Sequence, residues 1–143
     1  FCTPDRPIEV PCDDSVVRLA VSASGGAEPH TILLRRARGY APRPIELPLA
    51  AHYCAASGRY AGVACLGAVI RGETDHYDFV CSEAARGIQN VQLDTGIPCG
   101  FGVLTVENMD QALARTGGGK RDSGANAAAA VLRMNELRET LSS

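Results

Sequence analysis

Eleven residues in a row, Tyr60 to Ile70 (YAGVACLGAVI), carry no charge, and this run decides most of what the chain can become. Crossing a bilayer takes about 20 apolar residues, so the run is too short to span one. A strand with one face in water alternates apolar and polar positions; this stretch is continuous. Such a pattern belongs to a parallel strand covered by helices on both faces. The rest of the chain must then supply two helical layers and further strands.

Val16 to Ala23 (VVRLAVSA) is short, rich in β-branched residues and reads as a buried strand. Ser24-Gly25-Gly26 breaks it, and Pro29 to Arg38 reads as a short helix with Pro in its first turn. Gly39 to Pro44 holds two prolines and is irregular, while Glu46 to Ser57 is helical and stopped by Gly58. Beyond the central run, Arg71 to Thr74 forms a loop, and the Asp75 carboxylate is placed to cap a helix. In that helix Tyr77, Val80, Ala84, Ile88 and Val91 recur at three- and four-residue spacing, marking one buried face. Ile97 to Leu104, with Pro98 near its start, is another apolar strand. Thr105 to Thr116 contains a short helix, Gly117 to Gly119 a hinge. From Gly124 a long Ala-rich helix sets Ala127, Ala130, Val131, Met134, Leu137 and Leu141 on one stripe. Strands alternating with helices give an α/β fold with a parallel sheet. One echo, Arg6 to Pro11 (RPIEVP) against Arg43 to Pro48 (RPIELP), is a single pair and does not make a repeat architecture.

The length, 143 residues, suits one domain, with residues 1–15 a leader that could join a neighbouring subunit. Ala (21) and Gly (15) are abundant and Trp is absent, so the core must close by bringing backbones near one another. Fourteen Lys/Arg against 16 Asp/Glu, with no block of like charge, give no support to nucleic-acid or acidic-membrane binding. The opening residues show no basic-then-apolar leader, so a cytoplasmic location is expected. The six cysteines (2, 12, 54, 65, 81, 99) form no CxxC and no zinc spacing, and they read as reduced structural thiols. No metal is expected.

In parallel sheets ligands lie beyond the carboxyl ends of the strands. The richest such end follows Ile70. Gly72-Glu73-Thr74 at a helix start offers backbone N–H groups and a hydroxyl to an anion. His76 stands in the first turn, where the dipole disfavours a cation, and a neutral imidazole can both give and take a proton. A surface His near a helix start is the plain alternative. Phe101, read as a strand-end aromatic between Gly100 and Gly102, could fill core or form a flat wall for a planar ligand. Arg115 closes the short helix; it is either a phosphate partner or an ordinary charge at a helix end. The GGGK string lacks P-loop spacing.

Gly67 to Val80 (GAVIRGETDHYDFV) resembles the signature segment of the lumazine synthase family of riboflavin biosynthesis. Pro98 to Gln111 (PCGFGVLTVENMDQ), continuing to Arg115, resembles that family's next strand and helix. Gly124 to Leu137 is similar to its terminal helix, and Ile45 to Ala50 (IELPLA) to the loop before its second helix. The resemblance implies a flavodoxin-like three-layer sandwich with a mostly parallel sheet, assembled as pentamers or as a 60-mer shell, with active sites between subunits. It implies condensation of 5-amino-6-(D-ribitylamino)uracil with 3,4-dihydroxy-2-butanone 4-phosphate, without metal or organic cofactor, and riboflavin synthase as a candidate partner. Carried onto this sequence, it makes His76 the acid/base and gives the phosphate to Glu73, Thr74 and a neighbour's Arg115. Val69, Ile70 and Phe101 line the pyrimidine slot, with Ile45 and Glu46 beside the ribityl chain. A shell-forming relative with weakened catalysis is the alternative.

Three places depart from the family. The aromatic expected after the first strand is replaced by Ser24-Gly25-Gly26-Ala27, with His30 the nearest ring. Before the last helix's Gly stands Ser123 rather than Lys, with Lys120 and Arg121 close by. The stretch from Ser24 to Arg43 is short for a helix, a turn and a second parallel strand, whose crossover alone takes about a dozen residues. Either the second strand is deleted or a segment is missing, the favoured reading, which a break between Gly39 and Arg43 would mark.

Overall fold

The computed structural model describes residues 16–23, 30–35, 44–117 and 121–142. In chain order the strands are β1 (Val16–Ala23), β2 (His30–Arg35), β3 (Tyr60–Ile70) and β4 (Cys99–Val106). The α-helices are α1 (Leu47–Ala56), α2 (His76–Thr95), α3 (Met109–Leu113) and α4 (Ser123–Ser142), and a short 3₁₀ turn, Pro44–Glu46, precedes α1. The strands form one sheet in the order β2-β1-β3-β4.

The uncharged run is β3, with the bounds read from sequence, and it pairs in parallel with β4 from Val63↔Cys99 to Ile70↔Val106. Helices cover both faces of this pair. On one face Leu47, Ala51 and Cys54 of α1 and Ile88 and Val91 of α2 pack with Val63, Cys65 and Val103. On the other, α4 lies against β3 and β4, while Ala112 of α3 packs with Leu104 and Val106. The chain is thus an α/β sandwich of the expected class, flanked by helices on its parallel pair.

The N-terminal strands correct the sequence reading. Residues 30–35, read as helix, are strand: β2 pairs antiparallel with β1, Val16 opposite Arg35. Only six residues separate Ala23 from His30, too few for a parallel crossover, so the chain can return only as a hairpin. Thr31-Ile32-Leu33-Leu34 is also a better strand than helix on β-propensity. β1 itself joins β3 antiparallel, Arg18 opposite Leu66, so only the β3–β4 ladder is parallel. The second strand is therefore present but reversed. The expected break between Gly39 and Arg43, the leader 1–15 and the Gly118–Lys120 part of the hinge lie outside the described residues.

Smaller differences have local causes. Pro98 cannot donate to the ladder, and its carbonyl instead accepts the Val63 N–H at 2.8 Å; regular β4 pairing begins at Cys99 and runs two residues past Leu104. Asp75 occupies the N-cap of α2, but its αR backbone (φ −65°, ψ −5°) does not aim the carboxylate back at the helix, and no side-chain cap forms. In α4 the stripe is buried only at Ala127 and Val131; Met134, Leu137 and Leu141 stay exposed, as does Ala130. α4 can approach the sheet closely because Gly100 lies beneath it: a Cβ there would stand 2.5 Å from the Ala127 carbonyl oxygen. Among the described residues no helix is long and apolar enough to cross a membrane.

Candidate active site

β3 ends at Ile70, and six residues later α2 begins at His76. The connection is short and polar, and every residue from Arg71 to His76 is exposed. Among the described residues, the amides of Gly72, Glu73 and Thr74 donate to no protein group, leaving an anion-ready cluster at the positive end of a 20-residue helix. Val69 packs partly against the core and Ile70 is exposed at the strand's end, giving the loop an apolar floor.

Ile45 and Glu46 approach this rim by topology. α1 runs into β3 through the tight turn at Ser57–Arg59, so its start points toward β3's carboxyl end. The 3₁₀ turn carrying Ile45 and Glu46 contacts α2 and β3, and the adjoining Pro48 lies beneath Gly87 of α2. Both residues are exposed. Val69, Ile70, Glu73, Thr74 and His76, all named from sequence, therefore share one strand-to-helix connection, and Ile45 and Glu46 lie in the turn that packs on α2 and β3.

Two others stand apart. Phe101 is not at a strand end but is the third residue of β4, opposite Cys65. The Val106 exit is five positions further on, about 17 Å at the usual strand rise. It lies on the sheet's outer strand, and the residue is 42% exposed. Arg115 follows α3 in the opposite helical layer, and the sheet lies between it and α2. Its Nη1 donates to the Gln111 carbonyl at 2.7 Å, and its own carbonyl accepts the Ser123 N–H at 3.1 Å. Of the possible replacements for the family's aromatic and lysine, Ser24 to Ala27 and Lys120 lie outside the described residues. His30 opens β2 and Arg121 is exposed just before α4.

Sequence reasoning missed Arg71. Its amide donates to the carbonyl of Val106, the last residue of β4, at 2.9 Å, carrying the pairing one residue past the end of β3. Its guanidinium grips Asp78 with two nitrogens, Nη1 to Oδ2 at 3.3 Å and Nη2 to Oδ1 at 3.0 Å, while Nε meets Glu107 at 3.1 Å. Its central carbon lies 4.1 Å from the Tyr77 ring centroid, within cation–π range. Asp78 first, then Glu107, hold the guanidinium even more firmly protonated than usual. The signal was available: an Arg at a strand exit, seven residues before an Asp in a helix's first turn. Tyr77 is half-buried; burial first, then the neighbouring Cys81 thiol, push its hydroxyl upward, and burial also raises Cys81.

A profile of 6,7-dimethyl-8-ribityllumazine synthase matches residues 25–139. The protein of that name from Nitratidesulfovibrio vulgaris (strain DSM 19637 / Miyazaki F) is 47% identical over 100 residues, covering 70% of this chain and 64% of the relative. The one from Deinococcus deserti is 50% identical over 99 residues, covering 68% of this chain and 64% of the relative. The match thus spans just under two thirds of these relatives' length. With the profile covering most of the chain, including the whole β3–α2–β4 unit that builds the rim, the chain belongs to the 6,7-dimethyl-8-ribityllumazine synthase family.

Proposed function

We propose that this chain catalyses the reaction for which its family is named: condensation of 5-amino-6-(D-ribitylamino)uracil with 3,4-dihydroxy-2-butanone 4-phosphate to 6,7-dimethyl-8-ribityllumazine, with loss of phosphate and water. The observation that carries this reading is the rim itself. Open amides at Gly72, Glu73 and Thr74, an exposed imidazole at residue 76 and the apolar end of β3 meet at one helix start.

The chemistry asks for those parts. An amine attacks the ketone and water leaves to give a Schiff base. Phosphate is then eliminated, the resulting enol tautomerises to a new carbonyl at the former hydroxyl carbon, and the second amine closes on it with loss of a second water. Each step moves a proton, which His76 gives or takes at the rim, a role worth roughly 10²–10⁴ in rate. The Glu73 and Thr74 amides hold the phosphate with the helix dipole behind them. Val69 and Ile70 flank the pyrimidine, and Ile45 with the Glu46 carboxylate receives the ribityl chain.

Phe101 and Arg115 complete the site from a second copy. Both lie away from His76 within the protomer, Phe101 on the outer strand and Arg115 in the other helical layer, where a neighbour can present them. A homopentamer, closed on itself or built into a 60-mer shell, supplies that arrangement, and the exposed Phe79, Leu93, Phe101, Leu113 and Leu137 are surface of the kind assemblies cover. A cytoplasmic location and riboflavin synthase as the consumer of the product follow from the same reading.

One observation favours a second reading, a shell-forming relative with weakened turnover: β1 and β2 pair antiparallel where the family reading expects a parallel crossover. Mixing both substrates with the assembled protein and following lumazine absorbance separates the two. Product above the uncatalysed rate, falling about 10²-fold in His76→Ala with particle size unchanged, supports the enzyme. No product from a properly assembled sample ends that reading.

A further inference from the structure

Resting on the function just proposed, we infer that Arg71 is a positioning residue for the phosphate-bearing substrate: its guanidinium draws the first turn of α2 onto the exit of β3 and so sets the course of the Gly72–His76 loop.

The loop spans five residues, Arg71 to Asp75, and holds no regular structure of its own. Arg71 fastens it at both ends. Its amide is bonded to the Val106 carbonyl on the strand side, and its side chain takes Asp78 in a two-nitrogen grip on the helix side. The Nε contact with Glu107, the residue after Val106, and the stacking on Tyr77 leave little freedom in that side chain. The amides proposed to hold phosphate therefore lie on a strap whose two ends one residue brings together. Glu107 continues the ties toward the other helical layer, since its amide donates to the Gln111 side-chain oxygen at 3.1 Å and the Gln111 carbonyl accepts Arg115.

Arg71 is not a phosphate ligand on this reading, because two carboxylates already occupy its nitrogens. That separates geometry from charge. Removing the Asp78 carboxylate takes a negative charge away from the helix start, so charge alone predicts tighter phosphate binding. If position is what Arg71 supplies, losing its anchor loosens the strap and phosphate binds more weakly.

The test titrates each substrate against the full assembled chain in wild type, Arg71→Lys, Arg71→Ala and Asp78→Asn. We expect KM for the butanone phosphate to rise about tenfold in Arg71→Ala and about threefold in Asp78→Asn, with KM for the pyrimidine within about twofold of wild type. Arg71→Lys keeps the charge but lacks the fork, and recovers only part of the loss. A phosphate-substrate KM unchanged or lowered in Asp78→Asn overturns the inference, as does full recovery by Arg71→Lys. Asp78 is exposed, so its variant keeps the test open should Arg71→Ala not fold. A wild-type chain without turnover would count against the proposed function instead. Inorganic phosphate titrated calorimetrically into wild type and Asp78→Asn then still reads the strap: weaker binding in the variant supports the inference, equal or tighter binding overturns it.

Discussion

The helices α2 and α4 have the same length, 20 residues each, and opposite relations to the core. α2 buries its stripe from Val80 onward: Val80, Ala84, Ile88 and Val91 are all buried, with Tyr77 half-buried at the start, and the helix packs against α1 on one side and the sheet on the other. α4 commits only its first half, through Ala127 and Val131. Its outer half, with Met134, Leu137 and Leu141, lines an open groove of about 410 Å³ together with Leu93 and Ile97. The helix that carries the proposed catalytic imidazole is thus fixed along its length by its own chain. The helix on the other face is buried only where small residues of the sheet lie beneath it, its outer half being tied by the Arg138 Nη1 hydrogen bond to the Gly96 carbonyl at 3.4 Å. Periodicity is present in both; what differs is whether one protomer supplies a partner for every turn.

The largest effect expected from this contrast is at Ile88, 1% exposed at the middle of the buried stripe. Ile88→Ala should cost about 3 kcal/mol in urea denaturation at fixed protomer concentration, through lost burial and the cavity left behind. A cost below about 1 kcal/mol would mean α2 is not the committed helix. Next is the seat of α4. Gly100→Ala would put its methyl carbon 2.5 Å from the Ala127 carbonyl oxygen and 2.9 Å from Val131 Cγ2. Backbone must move, and we expect a loss of about 2 kcal/mol in the same measurement. No loss would show that even the inner half of α4 rests loosely on the sheet.

Much of this was legible in the sequence, and the failures share a cause. The bounds of β3, the buried face of α2 and the rim at Ile70–His76 follow from local pattern, because continuous apolarity and 3.6-residue spacing each have one structural meaning at those lengths. The N-terminal reading failed where the pattern was short. Residues 30–35 suit either a helix turn or a strand, and the six-residue connection, a topological fact, decides between them. Phe101 was misplaced because glycines on either side mimic a strand end, while here one of them seats α4. The Met134–Leu141 stripe was read correctly as apolar, but a stripe does not say whose surface covers it. Arg71 was overlooked because its meaning lies in Asp78 and Glu107, the second of them 36 residues away.

Leu137 sharpens the comparison from the other side. It is 50% exposed, so Leu137→Ala should cost no more than about 1 kcal/mol in the conditions used for Ile88→Ala. The two substitutions remove similar hydrocarbon from the apolar stripes of equally long helices. Near-equal costs would erase the distinction, and would place the outer half of α4 under a second copy in the solution state.

The smallest effect at neutral pH belongs to the thiols, and it too falls on one side of the sheet. Cys54, Cys65 and Cys99 all pack in the cluster shared with α1 and α2. Burial first, then the neighbouring Cys99 and Cys54, push the Cys65 thiol up to about 12; burial, then Cys54, raises Cys99 to about 11. In the unfolded chain a thiol titrates near 9. Below that pH both states keep the proton, and these groups give stability no pH dependence. Between about 9 and 12 the unfolded chain releases protons that the folded core retains, so unfolding becomes easier as pH rises. Denaturation midpoints should therefore be flat from pH 7 to about 8.5 and decline above 9. Lysines and tyrosines also titrate in that range, so Cys65→Val, which keeps volume and apolarity, isolates the thiol's share. Its decline should be visibly shallower than that of wild type. An identical slope would mean the alkaline sensitivity comes from elsewhere than the Cys65 thiol.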